Sequence, residues 1–311
     1  MAYQPGNLAP DLIREMLQGI VENEKSFADL VCGTQFRQVT QMQGSVNVRD
    51  SAATLGIVDG YLGLAPAEES PGEEFGVTSV TYHAKPRVGK TVITDEERND
   101  FDAAFGEDLV NDRMAQAYRS ANTKLDKYLE TKLSSTSLNE EFAAGSDGGG
   151  TWTGATSTMA DDLRTCRETF APGADTIIIG RALRNVMLDN DGLLASPVAG
   201  NYYGGGTGEA SILEAWLKQY IGFKNVYFFD KMYNTGNARG GTPAVGYLFD
   251  ALAWVGYADD LVLVHPSHAI NDIAETERIV AKRTDLVQVA RYDDILRPTL
   301  LKGSVITGAT A

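Results

Sequence analysis

The sequence predicts an α+β fold, and three observations support this prediction. A helical pattern without proline runs from residue 94 to residue 133, about forty residues or about 60 Å at 1.5 Å per residue. Stretches that alternate between apolar and polar residues, typical of strands, precede it at 45–49 and 77–82. Helical and strand patterns then alternate from about residue 154 to 275. With 311 residues, 43% of them hydrophobic, the chain can bury a substantial core.

The N-terminal segment 10–31 has the pattern of an amphipathic helix. Its apolar positions include Leu12, Ile13, Met16 and Leu17, which recur near the helical period. The next forty or so residues contain no second helical pattern on which this face could pack. We therefore expect the apolar face to find its partner elsewhere, and a second subunit is one candidate.

Residues 35–94 predict an extended β-hairpin. Between its two strands, residues 60–76 are rich in glycine, proline and glutamate and offer little to a core. The acidic side chains of this tip are Glu68, Glu69, Glu73 and Glu74. Because an isolated hairpin is only marginally stable in water, we expect this projection to lie on another surface.

The long helix begins with a capping box, Thr94-x-x-Glu97, and its acidic first turn suits the positive end of the helix dipole. Residues 94–112 contain eight acids and one base, whereas 277–302 contain four acids and six bases. Surfaces of opposite charge can steer copies of one chain together, although solvated faces without any partner would show the same pattern.

The region after a glycine-rich linker at 145–154 predicts a compact mixed domain. Helices are predicted at 159–170, 181–189 and 212–221, and strands at 175–180, 226–229, 244–255 and 261–264. The last part, 286–307, alternates again and carries Arg291, Arg297 and Lys302.

The best candidate for catalysis is a relaxed Walker A pattern at 84–91, with Lys90 as the phosphate-binding lysine. Pro86 removes a backbone donor, the loop has a single glycine, and Val92 and Ile93 continue as a strand. His265 and His268 are separated by a proline and a serine and have no cysteine nearby, so a metal site is not predicted. No cofactor and no enzymatic activity are predicted, and Cys32 and Cys166 are expected to be buried thiols.

Composition limits the classes of partner. The net charge of −15 repels nucleic acid and argues against a dedicated nucleic-acid-binding domain. No apolar run is long enough for a membrane span, and the first residues lack the pattern of a signal peptide. The chain is therefore expected to fold in a cytoplasm.

The order of these parts resembles the Hong Kong 97-like fold of tailed-bacteriophage major capsid proteins, which encapsulins share. The most specific likeness is a Pro-Gly tip at 64–72, a returning strand with tyrosine at 80–84, and a strand that leads into Asp-Glu-Glu-Arg at 92–99. The resemblance implies an N-terminal arm at 1–43 and an extended loop at 44–91. It further implies a peripheral domain with a spine helix at 92–153 and 276–311, and an axial domain at 154–275.

The resemblance also implies a function. Copies of the chain would form hexamers and pentamers of an icosahedral shell around double-stranded DNA, in a virion capsid assembled in the host cytoplasm. Scaffolding, portal and decoration proteins are expected as further partners, and the acidic balance fits a wall that holds DNA without binding its sequence. An encapsulin-type compartment is the alternative, and a P-loop nucleotide hydrolase is a distant one. The expected contacts between subunits involve Leu12, Ile13, Met16, Leu17, Glu68, Glu69, Glu73, Glu74, Arg291, Arg297 and Lys302.

Overall fold

A computed structural model describes most of the chain. The described residues are 17, 19–20, 24–32, 36–49, 77–97, 106–144, 152, 158–190, 193, 209–234, 245–266, 273–297 and 303–309. The helices in these ranges are α1 (Phe27–Val31), α2 (Gly106–Ser134), α3 (Met159–Thr165), α4 (Arg181–Leu188) and α5 (Glu209–Trp216). Turns of π-helix at Cys166–Phe170 and Leu217–Ile221 extend α3 and α5. We call α2 the spine helix.

Fourteen strands lie in the described ranges. They are β1 (Phe36–Val39), β2 (Gln43–Arg49), β3 (Val77–His83), β4 (Lys85–Thr94), β5 (Asn139–Ala143), β6 (Thr176–Gly180), β7 (Asn225–Phe229), β8 (Met232–Asn234), β9 (Val245–Tyr247), β10 (Ala253–Gly256), β11 (Val262–Pro266), β12 (Ile273–Ile279), β13 (Thr284–Leu296) and β14 (Gly303–Thr307). This mixture of helix and strand confirms the predicted α+β class.

Two five-stranded sheets form the body. The first has the order β1-β11-β13-β12, with β4 also paired to β13 over ten residues. The second has the order β5-β14-β10-β6-β7. Strand β6 is buried along its whole length, as its run of isoleucines predicts for a central strand. Strands β2 and β3 form a hairpin in perfect antiparallel register, and β8 and β9 form a second, shorter one.

The spine helix confirms the longest predicted element. Its described part has 29 residues and ends at Ser134, one residue beyond the predicted end. The capping box is also present, because the Glu97 amide donates to the Thr94 hydroxyl at 3.1 Å and Glu97 accepts from the Thr94 amide at 3.1 Å. Residues 98–105 lie outside the described ranges. The buried face of the helix, with Leu125, Leu129 and Leu133, packs into the core against the first sheet.

The predicted helix at 10–31 is wrong as one continuous element. Residues 24–26 are not helical, and α1 begins afresh because Ser26 forms a capping box with Asp29. The expectation that its apolar face lacks a partner within the chain is also corrected. Leu17 is only 4% exposed and packs with Ile20, Ile93 and Met114 of the same chain.

Two C-terminal predictions also need correction. The single strand predicted at 244–255 is divided into β9 and β10 by a turn, in which Phe249 has a φ of 57°. The alternating segment 286–307 forms two strands that belong to different sheets, β13 to the first and β14 to the second. The second sheet therefore combines strands from both predicted domains, since β14 pairs with β10 of the predicted axial domain.

Candidate functional site: the junction of arm, spine helix and β13

A cluster of buried charges joins α1 to the spine helix and β13. Arg291 of β13 is at its centre, with a side chain only 3% exposed. Its guanidinium binds both carboxylate oxygens of Asp29 in α1, one of them at 2.8 Å. It also donates to Asn122 of the spine helix at 2.8 Å and to Asp293 at 2.7 Å. One side chain thus holds three elements, two of which are separated by 262 residues of sequence.

The electrostatics of this pair favour the charged forms. Burial raises the pKa of Asp29, but the hydrogen bond and charge of Arg291, together with the bonds from Ser26, outweigh it and leave the pKa below its usual value. Burial lowers the pKa of Arg291, but Asp29 and Asp293 outweigh it and hold the pKa well above its usual value. The ion pair therefore persists at neutral pH, and removal of either partner would leave a buried charge uncompensated.

Asp126 is a second acid beneath α1, and its environment is different. One carboxylate oxygen accepts the Ala28 amide at 3.0 Å, while the other is buried without a hydrogen-bond partner among the residues that the structure describes. Burial is the largest influence and raises the pKa of Asp126 to about 6, against the opposing effect of the Ala28 bond. The charge of this carboxyl therefore changes in the mildly acidic range.

Asp294, the next residue after Asp293, fastens the hairpin base to the spine helix. It accepts the His83 amide at 2.9 Å and the Tyr128 hydroxyl at 2.9 Å. Burial and the nearby Asp294 charge raise the pKa of Tyr128 to about 12, so its hydroxyl stays a donor. The Arg87 guanidinium lies 4.6 Å from the centre of the Tyr128 ring, a cation–π contact.

An apolar cluster supports the same attachment. Tyr82 at the end of β3 packs with Val262, Val264 and Leu296 of the first sheet. Val46 and Val80 of the hairpin pack against these residues. The base of the hairpin is therefore fixed to the body by both charge and apolar contact.

A second buried arginine connects the two sheets. Arg297 pairs with Asp260 at 2.7 Å and donates to Asn139 of β5 at 2.5 Å. Its guanidinium lies 5.5 Å from the centre of the Trp254 ring, and Trp254 itself donates to Asn139 at 2.8 Å. This arrangement fixes the end of β13 to the second sheet.

Chemically, these groups hold elements in place. The Nδ1 atom of His265 lies 2.7 Å from Oδ1 of Asp293, so this pair connects β11 with β13. Within the described ranges, no group of three potential metal ligands occurs, and no helix is both long and apolar enough to cross a membrane. Both cysteines are buried and free, and burial raises the pKa of each thiol. This confirms the prediction that both residues are buried thiols.

The structure places three of the predicted contact residues. The side chains of Leu17, Arg291 and Arg297 pack against their own chain. Their expected contacts with a neighbouring subunit stay predictions. The other eight lie outside the described residues, and their contacts stay predictions. These are Leu12, Ile13, Met16, Glu68, Glu69, Glu73, Glu74 and Lys302.

Sequence reasoning missed several buried polar residues of this junction. Asp293 and Asp294 interrupt the apolar alternation of β13, and Asn122 and Asp126 stand four residues apart on the buried face of the spine helix. A polar residue at a position that the periodicity assigns to the core is the signal that could have identified them.

The Walker-like segment forms no phosphate loop. Lys90 is exposed in the middle of β4, where it is paired in register with Gln288 of β13. Gly89 is required for packing, because a Cβ atom there would lie 1.7 Å from the carbonyl oxygen of Ala117 in the spine helix. The hydrolase alternative rested on this motif, and in the structure the motif does not form a phosphate-binding loop.

Comparison with known protein families gives no match, and no curated protein matches either. Solved structures do match along nearly the whole chain. A phage-related protein from Bordetella bronchiseptica RB50 is 12% identical, with a TM-score of 0.63 over 96% of this chain and 97% of its own. A virus-like particle from Pyrococcus furiosus is 10% identical, with a TM-score of 0.54 over 95% and 98%. A structure of Microbacterium phage Oxtober96 is 11% identical, with a TM-score of 0.51 over 91% of each chain.

At these identities, the likeness defines the fold. The chain has the fold that these phage and virus-like-particle proteins share. The resemblance to phage capsid proteins, predicted from the order of its parts, is therefore confirmed for the fold.

Proposed function

We propose that this chain is a capsid-shell protein that assembles with copies of itself into a closed particle. The observation that carries the proposal is the whole-chain likeness to a virus-like particle and to phage proteins, with nearly all of both chains covered.

The hairpin supports this proposal. In the described part of the chain, β2 and β3 pair only with each other. Its base is anchored at Asp294 and Tyr82, but a two-stranded ribbon gains little stability from itself. A projection of this kind becomes stable when it lies on a neighbouring copy, which gives each copy a reason to associate.

The finer form of the proposal is an icosahedral shell of hexamers and pentamers that encloses double-stranded DNA in the virion. The net charge of −15 supports a shell that encloses DNA without binding it tightly. Scaffolding, portal and decoration proteins would be further partners, and assembly would take place in the host cytoplasm.

Electron microscopy of the purified protein tests the proposal, together with sedimentation velocity. We expect closed particles of uniform size. In a matched variant, an Asn-Gly turn replaces residues 50–76, and we expect a folded protein that sediments slowly and forms no particles. A wild-type protein that stays monomeric under all assembly conditions would contradict the proposal.

An encapsulin-type compartment is the second candidate, favoured by the likeness to the Pyrococcus furiosus virus-like particle. The two candidates differ in their contents. Particles from the native source would hold nuclease-resistant DNA in the first case and a protein cargo in the second, as measured by absorbance ratio and mass spectrometry.

A further inference from the structure

Strand β7 lies at one edge of the second sheet, and its residues are unusual for such a position. Within the described ranges β7 pairs with β6 alone, so the backbone amides and carbonyls on its other side have no strand beside them there. Its sequence, Asn-Val-Tyr-Phe-Phe, contains no charged residue and no proline. The first four residues are half-buried, whereas β6 is fully buried. An edge of this kind is able to pair with a further strand.

The other edge strands of the two body sheets contain charged residues, which discourage pairing with another chain. These strands are β1 with Arg37, β4 with Lys85, Arg87 and Lys90, β5 with Glu140 and Glu141, and β12 with Glu275, Glu277 and Arg278. Among the sheet edges that the structure describes, β7 is therefore the one without this protection. An uncharged edge is expected where the native assembly itself covers the strand.

Basic side chains stand at both ends of β7. Lys224 precedes the strand and is exposed. Asp230 follows the strand and contacts both Arg184, at 3.2 Å, and Arg181, at 3.8 Å, so this cluster of three has one positive charge in excess. A strand that suits this edge would therefore carry acidic residues.

Strand β5, at the opposite edge of the same sheet, has this property. It carries Glu140 and Glu141, both exposed, and like β7 it has five residues. Strand β5 is parallel to β14 and β7 is parallel to β6, while β14 and β6 are both antiparallel to β10. The two edge strands therefore run in the same direction. A second copy that is rotated about an axis along the strands can place its β5 beside β7 as a parallel neighbour.

We propose that β7 of one copy pairs in parallel with β5 of a second copy, so that the second sheet continues from subunit to subunit. This inference rests on the proposed function, because it specifies one contact between copies in the shell. The two edges are different surfaces, so the contact is heterologous, and its repetition closes a ring when the rotation between copies allows it. Two β5 edges would bring four glutamates together, and this repulsion favours β7 as the partner.

Cysteine substitution at the centres of the two strands tests the proposal. When the strand ends are aligned, Tyr227 lies opposite Glu141 of the second copy. A chain with both Tyr227→Cys and Glu141→Cys should form disulfide-linked dimers and larger oligomers when its particles are mildly oxidised, as measured by non-reducing electrophoresis. Within one chain these positions are four strand spacings apart, about 19 Å, whereas a disulfide needs Cα atoms within about 7 Å. Only contact between copies can therefore link them.

The two single variants distinguish the possible arrangements. Tyr227→Cys alone and Glu141→Cys alone should stay unlinked, because in the proposed contact each position faces the other edge. Linkage of Tyr227→Cys alone would show that two β7 edges pair with each other, which would overturn the proposal. Normal particles of the double variant without linkage would overturn it as well, and this is the result expected if a segment of the same chain covers β7. In both cases the particles form, so the proposed function stands.

Charge reversal on β5 gives a second measurement if the double cysteine variant does not fold. Glu140→Lys with Glu141→Lys brings like charges to the contact, so we expect the yield of particles to fall at least about tenfold. Asp161→Lys with Glu277→Lys makes the same change of charge at exposed positions outside β5 and should assemble normally, with both proteins folded by circular dichroism. Equal yields from the two variants would overturn the inference. A wild type that forms no particles would contradict the proposed function and this inference with it.

Discussion

Replacement of Asp126 by asparagine should stabilise the protein at alkaline pH. The carboxyl is buried beneath α1 and uses one oxygen to accept the Ala28 amide. Its pKa of about 6 in the folded state compares with an ordinary value of 3.8. Because the folded state holds this proton more tightly than the unfolded chain, the group adds stability as pH falls through 6 towards 4. Above pH 6 the buried charge is a cost.

The size of this cost follows from the pKa difference. The two pKa values differ by about 2, which corresponds to about 3 kcal/mol of unfolding free energy at pH 8. An unfolding entropy of about 2.1 cal/mol/K per residue, over 311 residues, converts this free energy to a rise in Tm of about 5 °C. Asparagine keeps the acceptor for Ala28 and carries no charge, so the variant should behave like the protonated wild type.

Thermal unfolding of the unassembled protein at pH 5 and pH 8, at constant ionic strength, measures the effect. The Tm of Asp126→Asn should exceed that of the wild type at pH 8, and the difference should shrink at pH 5. Asp161→Asn, the same change at an exposed helical position, should alter the Tm by less than about 1 °C at both values. A difference that is independent of pH, or a lower Tm at pH 8, would refute the assigned burial cost.

Three further predictions concern contacts within the chain. Arg291→Met should lower the unfolding free energy by about 3–5 kcal/mol in urea titrations, because Asp29 and Asp293 lose their buried partner; a loss below about 1 kcal/mol would contradict the ion cluster. Gly89→Ala should abolish soluble folded protein, since the new Cβ would overlap the spine helix, whereas Gly19→Ala, with nothing within 4 Å, should fold normally by circular dichroism. Lys90→Ala should leave any ATP hydrolysis by the preparation unchanged, and a specific loss of turnover would revive the hydrolase alternative.

The elements that the sequence predicted correctly share one property: residues close together in the sequence determine whether each one forms a helix or a strand. The spine helix follows from an apolar period and from the Thr94–Glu97 capping box, both of which the structure confirms. Strand β6 follows from three successive isoleucines, and the base of the hairpin from alternation in β2 and β3. The order of these parts was enough to suggest the fold.

The elements that were predicted wrongly depend on local competition or on distant partners. Ser26 interrupts the N-terminal helical pattern because its side chain accepts the Asp29 amide and so caps the start of α1. The spacing of apolar residues contains no information about such a cap. The segment 286–307 alternates throughout, but alternation carries no information on which sheet a strand joins.

By itself, the sequence determined the class of fold, the long helix, the hairpin base and the acidic character of the chain. Only the tertiary structure decided that Arg291 binds Asp29 of α1, because the two residues are 262 positions apart and become neighbours through the packing of α1, the spine helix and β13. A charge in a sequence has no assigned partner until folding removes the water around it, and burial then makes the choice of partner energetically decisive.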